Sequence, residues 1–281
     1  MQEIIALVFD FDDTLAPDST SGYLGQCGID VPRFWQEEVQ PLLQNNWDPV
    51  PAYLFKMIEK SYSGDIEPIT KAKLASWGAE LPLYEGAEQI FDRLRQAAKG
   101  TNPRVNLEFY LISSGIGDVL RNTKIAHQFN DIWASDFVYD EDGKINFPKR
   151  VVSFTDKTRY IFHIQKGIFG PDFSDKPFEV NRKISAEDIR VPISQMIMVG
   201  DGYTDIPCFS LVRKDQGIAI GVYDRKNREK WGRAWGFIED GRVSNLVPTD
   251  YREGSGLSDS LIMAVESISA RILLASHTYQ G

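Results

Sequence analysis

The sequence predicts a doubly wound α/β fold, a parallel sheet with helices on both faces, with an all-helical unit inserted after the first strand. Three observations carry that expectation. Short apolar runs rich in Ile and Val recur along the chain, as in strands covered on both faces. A clear amphipathic helix separates the strands at Ile4 and Leu107, and such alternation argues for a parallel sheet. Residues 16–84 contain several prolines and three helical patterns, with no convincing strand.

The elements follow in order. Ile4 to Phe9 is an unbroken apolar run ending in Asp10. In the insertion, Phe34, Trp35, Val39, Leu42 and Leu43 mark one helix. Tyr53, Leu54, Met57 and Ile58 mark a second, and Ile69, Ala72 and Trp77 a weaker third. Ala87, Ile90, Phe91 and Leu94 recur at helical spacing, and Gly100 is expected to stop that helix. Leu107 to Ile112 reads as the next strand, ending in Ser113. Phe137–Tyr139 and Ile145–Phe147 flank an Asp142-Gly143 turn and predict a hairpin. Ser153 to Asp156 resembles a helix cap, opening a helix from about Lys157 to Gln165. Gly167 to Asp188 is polar and without periodicity, a long loop. Gln195 to Val199 is a further strand, ending in Gly200-Asp201, and Ile218 to Val222 another. The tail beyond carries Trp231, Trp235 and a helix near Leu257 to Leu274. The division expected is a core of residues 1–15 and 85–281, with residues 16–84 as the insertion.

Bulk properties narrow the function. The 281 residues are 42% hydrophobic and carry a formal net charge of −9, so nucleic acid and anionic lipid are poor partners. A small anionic substrate stays compatible, because a bound cation reverses the sign locally. The two cysteines, Cys27 and Cys208, form no disulfide framework or thiolate metal cluster and are expected to be reduced. Met1-Gln2-Glu3 lacks the basic region of a signal peptide, and Asp10 breaks the apolar run after it. A cytoplasmic protein without membrane association is the expectation.

The chemistry gathers at strand ends, where doubly wound sheets bind ligands. Asp10 and Asp12 lie two residues apart just past a strand and can face one crevice. Magnesium takes hard oxygen ligands such as these, and a carboxylate can also attack phosphorus. The other carboxylate can exchange protons with leaving group and water if its environment differs. In Gly200-Asp201-Gly202-Tyr203-Thr204-Asp205, the glycines permit a tight turn, Asp201 offers a metal ligand, and Asp205 can hold metal-bound water or orient a lysine. Ser113 and Ser114 read either as an anion site at a helix N-terminus or as an ordinary cap. Lys157, in the first turn of its helix, is a cation placed against the helix dipole. It is the candidate counter-charge for a phosphoryl group, with Lys149 and Lys166 as rivals.

Together these residues resemble the haloacid-dehalogenase superfamily of aspartyl-phosphate hydrolases, with its Rossmann-like core. Asp10-x-Asp12-x-Thr14, Ser113, Lys157 and Gly200-Asp201-Gly202-x-x-Asp205 match its four motifs in order. The inserted helices match its cap domain, and the phosphoserine-phosphatase-like branch is the nearest in kind. The resemblance implies that Asp10 is the nucleophile and Asp12 the general acid and base. It places Mg2+ on the Asp10 side chain, the Asp12 backbone carbonyl and Asp201, with Asp205 nearby. Ser113, the Ser114 N–H and Lys157 would hold the phosphoryl group. Asp13 has no fixed family role and reads as a cap or turn residue. The expected activity is a magnesium-dependent phosphatase acting on a small phosphorylated metabolite, as a monomer or homodimer. Tyr23, Phe34, Trp35, Trp47 and Tyr53 in the insertion are available for substrate contacts, although most aromatics in a small helical unit pack its core, and the sequence singles out none of them. A phosphomutase on the same scaffold, or a non-catalytic phosphate-ligand binder, are the alternatives. A phosphoacceptor receiver domain is disfavoured, because its acidic pair precedes the phosphoacceptor strand.

Overall fold

A computed structural model of the chain describes residues 2–225, 236, 238 and 240–278. Its centre is a seven-stranded sheet in the order β4-β3-β2-β1-β5-β6-β7. These strands are β1 (Ile4–Phe9), β2 (Asn106–Ile116), β3 (Asp131–Tyr139), β4 (Ile145–Arg150), β5 (Met196–Gly200), β6 (Ile218–Tyr223) and β7 (Asn245–Pro248). All neighbours pair in parallel except β3 and β4, the expected hairpin. The chain winds from β1 out to β4, then returns to β5 on the other side of β1. The switch point therefore lies between β1 and β5, where Phe9 pairs with Val199.

Alternation along β1 sets the two layers. Ile5, Leu7 and Phe9 point into one core with Ile90, Phe91 and Leu94 of α5 (Ile90–Thr101) and with Leu257, Leu261 and Val265 of α9 (Gly256–Thr278). Ala6 and Val8 point into the other, with Tyr160, Ile161 and Ile164 of α7 (Asp156–Lys166) and Phe209 and Val212 of α8 (Ile206–Lys214). Burial on both faces explains why β1 reads as an unbroken apolar run.

Helices fill the connection between β1 and β2. They are α1 (Ser19–Gln26), α2 (residues 31–44, with a π-helical middle at Phe34–Val39), α3 (Pro49–Ser63) and α4 (Lys71–Glu80). Their apolar residues Leu24, Phe34, Leu54, Met57 and Leu74 join the core of the α5 face. The hairpin braces them: Lys71 N–H donates to the Gly143 carbonyl at 3.0 Å, Ile145 N–H to Ile69 at 2.9 Å, and the Tyr62 hydroxyl to Asp140 at 2.7 Å.

Several expectations are corrected. The insertion holds α1 besides the three helices read from periodicity. The α5 helix runs through Gly100 to Thr101. β2 does not end before Ser113; it continues to Ile116 with a register shift after Ile112, and α6 (Gly117–Leu120) begins only beyond it. Ser113 and Ser114 thus sit in an irregular strand, which re-aims side chains as bulges do. Ser153 does not cap α7 with its side chain: Asp156 N–H donates to the Ser153 carbonyl at 2.8 Å. β7 is an added edge strand. The Gly167–Asp188 loop contains the short 3-10 turns Pro171–Phe173 and Glu179–Asn181. Trp231 and Trp235 lie outside the described residues. Cys27 and Cys208 are both free. No helix among the described residues is long and apolar enough to cross a membrane.

Candidate active site

The switch point places the acidic motifs side by side. Backbone pairing with β5 continues one residue past β1, since Asp10 N–H donates to the Val199 carbonyl at 2.9 Å. The chain then turns: Asp13 adopts the left-handed region with φ 56°, and Thr14 and Leu15 N–H return to the Phe11 carbonyl. Asp13 is a turn residue, as expected. Across the crevice, Gly200 and Gly202 pass close over Asp205. A Cβ on Gly200 would lie 2.5 Å from the Asp205 carboxyl carbon, so glycine is required there.

Asp10, Asp201 and Asp205 can each bring one carboxylate oxygen within 4.8 Å of the others. Three hard oxygen donors at that spacing fit Mg2+ in kind. The Asp12 side chain lies outside this group. It turns toward α1, accepting the Ser19 N–H at 2.7 Å. Burial, and then the charge of Asp18, push the Asp12 carboxyl up to about 8. The carboxylate pair is therefore split between two environments. Gly115 is packed against the same carboxylate, where a Cβ would lie 2.7 Å from Asp12 Oδ2.

Lys157 is wholly buried and reaches Asp10 Oδ2 at 2.8 Å and Asp205 Oδ1 at 2.7 Å. Burial opposes its charge, but the two carboxylates outweigh it and hold the ammonium well above the usual lysine range. The other oxygens are also satisfied: Asp10 Oδ1 accepts the Phe11 N–H at 2.7 Å and Asp205 Oδ2 the Gly202 N–H at 3.1 Å. Of the rival lysines, Lys149 is exposed on β4 and Lys166 donates to the carbonyls of Val180 and Arg182.

A cavity of about 200 Å³ opens over these groups. Its core side includes Asp10, Asp12, Ser113, Ser114 and Asp201. Ser113 Oγ accepts the Gly115 N–H at 3.1 Å, while Ser114 Oγ is buried without a hydrogen-bond partner. Asp18, Thr20, Trp35 and Tyr53 form the wall contributed by the insertion. The Tyr53 hydroxyl donates to the Ser114 carbonyl at 2.7 Å, tying α3 to the site. Of the other aromatics, Phe34 is fully buried and Tyr23 nearly so, in the core, while Trp47 is 40% exposed and packs on Phe55. Asp18 and Thr20 were not anticipated; the signal was the Asp-Ser-Thr-Ser run, which opens α1.

Comparison with known proteins agrees with this architecture. A Borreliella burgdorferi protein of uncharacterised role is 26% identical over 91% of this chain and 94% of its own. A HAD family hydrolase of Salmonella enterica serovar Typhi superposes with a TM-score of 0.58 at 13% identity, over 94% of this chain and 71% of that one. A substrate-bound phosphoserine phosphatase superposes with a TM-score of 0.53 at 15% identity, over 90% and 97%. At such identities the likeness is one of fold. The model of the haloacid dehalogenase-like hydrolases matches residues 7–210, well over half the sequence, and the chain belongs to that family.

Proposed function

We propose that the protein is a magnesium-dependent phosphomonoester hydrolase working through an aspartyl-phosphate on Asp10. One observation carries the reading: two carboxylates two residues apart occupy opposite environments. Asp10 is held between the Lys157 ammonium and the Phe11 N–H, placed at the strand end as a nucleophile would be. Asp12 is pushed up to about 8 and so carries a proton at neutral pH.

In this reading an Asp10 oxygen attacks phosphorus and the ester P–O bond breaks. The leaving oxygen takes the Asp12 proton. Asp12, now ionised, takes a proton from the water that attacks the aspartyl-phosphate, and inorganic phosphate leaves. Ser113, the Ser114 N–H and Lys157 hold the phosphoryl oxygens. Asp205 positions Lys157, and Tyr53 closes the insertion against Ser114, limiting water at the site. Asp10, Asp201 and Asp205, with the Asp12 carbonyl, would hold Mg2+, which supplies charge neutralisation at the phosphoryl oxygens. Residues 16–84 act as the cap on a core of residues 1–15 and 85–281.

The test is phosphate release from a panel of phosphomonoesters, with magnesium or chelator, by wild type and Asp10→Asn. Magnesium-dependent release that falls below detection in the variant, at an unchanged melting temperature, is expected. Retained turnover in the variant would remove Asp10 as nucleophile.

A further inference from the structure

From the walls of the active-site cavity we infer that the substrate is the phosphate ester of a cationic amino alcohol, whose ammonium group sits between Asp18, Trp35 and Tyr53. This rests on the phosphatase reading and names the substrate class for it.

The insertion's side of the cavity carries the Asp18 carboxylate, the Trp35 and Tyr53 rings and the Thr20 hydroxyl, and among the described residues no lysine or arginine lines the cavity. Lys157, beneath the floor on Asp10 and Asp205, serves the phosphoryl end of the substrate and not the leaving group. A leaving group bearing a carboxylate or a second phosphate would meet Asp18 with no counter-charge among the described residues. An ammonium meets the reverse situation.

The three groups are fixed in place. Asp18 Oδ1 accepts the Ser21 N–H at 2.9 Å and Oδ2 the Ser21 hydroxyl at 2.7 Å. The Trp35 indole N–H donates to the same hydroxyl at 2.9 Å, so Asp18 and Trp35 are held through one serine. Tyr53 is anchored at Ser114, and the Trp35 and Tyr53 rings lie 5.7 Å apart at 62°. Tilted rings beside a carboxylate attract an ammonium by charge and by the ring quadrupole. Asp18 stands outside the carboxylates suited to a metal, so its charge stays available to the substrate.

The experiment compares near-isosteric esters: 2-aminoethyl phosphate, its N-trimethyl analogue and 2-hydroxyethyl phosphate, with p-nitrophenyl phosphate as a general reporter. Asp18→Asn removes the charge but keeps an oxygen to accept the Ser21 N–H, so the start of α1 is preserved. Wild type is expected to favour an ammonium ester over the hydroxy ester by about tenfold or more in kcat/KM. In Asp18→Asn that ratio should fall by about tenfold, mainly through KM. Trp35→Leu should lower it most for the trimethyl ester. A wild-type ratio of one or less, or a ratio that Asp18→Asn leaves unmoved, overturns the inference. If p-nitrophenyl phosphate is hydrolysed in that case, the phosphatase reading survives it; if no ester is hydrolysed, both fall.

Discussion

Asp12 accepts the backbone N–H of Ser19 at 2.7 Å, so the candidate general acid is bound to the first residue of the inserted helices. The Trp77 indole N–H donates to the Ser19 carbonyl at 2.9 Å, fixing the same peptide segment from α4. The proton-handling group and the wall over it are thus one hydrogen-bonded unit. Moving the insertion would change the polarity around Asp12.

Asp12→Asn is expected to lower kcat on an alkyl phosphate by roughly a hundredfold to ten-thousandfold, the usual contribution of a positioned acid or base. The amide still accepts the Ser19 N–H, so the fold should hold. p-Nitrophenolate departs with little proton assistance, whereas hydrolysis of the aspartyl-phosphate still needs a base. Rapid-mixing kinetics with p-nitrophenyl phosphate should therefore show a burst of about one product per site, followed by slow turnover. Near-normal steady turnover would assign the proton to another group.

Lys157→Met should cost stability as well as turnover. It leaves Asp10 and Asp205, 6% and 0% exposed, facing each other without a cation. Breaking a buried pair in this way costs about 3–5 kcal/mol. Because Asp10, Asp201 and Asp205 can gather around a metal, magnesium should raise the melting temperature of the variant more than that of wild type. Equal melting of variant and wild type in chelator would show that the ammonium is not what holds the carboxylates together.

Much of this site was legible because its residues end apolar runs. β1 is buried on both faces, so its pattern stops where Asp10 leaves the sheet. What was hidden depends on tertiary contact. Ser-Thr-Ser-Gly-Tyr-Leu-Gly-Gln, the sequence of α1, has two glycines and little amphipathicity. Its helix is set by the Asp18 cap and by Ser19 bonding to Asp12. The turn at Asp13 was legible, but that the chain then brings Asp18 to the cavity wall is a tertiary placement the turn residue alone does not specify. Lys157, Lys149 and Lys166 were equivalent by sequence spacing; burial between two carboxylates separates them.

Arg190→Met should weaken the fold at the opposite end of the sheet. Arg190 makes a two-pronged ion pair with Glu108 of β2, whose carboxylate also accepts the Tyr110 hydroxyl at 2.6 Å. Glu108 pairs with Ala6, away from Asp10. Arg190 also closes the Gly167–Asp188 loop, its N–H donating to the Gln165 carbonyl at 2.9 Å. Glu108 is 3% exposed and would be left as an unpaired charge. The Arg190 side chain is 30% exposed, so the loss should be about 2 kcal/mol, below that of a fully buried pair. A lowered urea midpoint with unchanged kcat in the folded enzyme is the expected result; an unchanged midpoint would mean the loop is anchored elsewhere.

Acid should destabilise the protein partly through His163. Its ring packs against Trp133 and Tyr160, and Nδ1 lies 2.8 Å from the Ile168 carbonyl, which requires the proton on that nitrogen. Burial, aided by the charges of Arg159 and Arg150, lowers its pKa below the usual histidine value, although the Ile168 bond and Asp131 oppose the shift. The unfolded chain, with a pKa of about 6.5, then binds the proton more readily than the folded one. The stabilisation is complete above that value and is lost as pH falls from it toward the folded pKa. Urea midpoints measured from pH 7.5 to pH 5 should decline in wild type, and in His163→Gln the decline should be shallower, since glutamine can still donate to Ile168 but does not titrate. Parallel declines in the two proteins would place the acid sensitivity in the carboxylates instead.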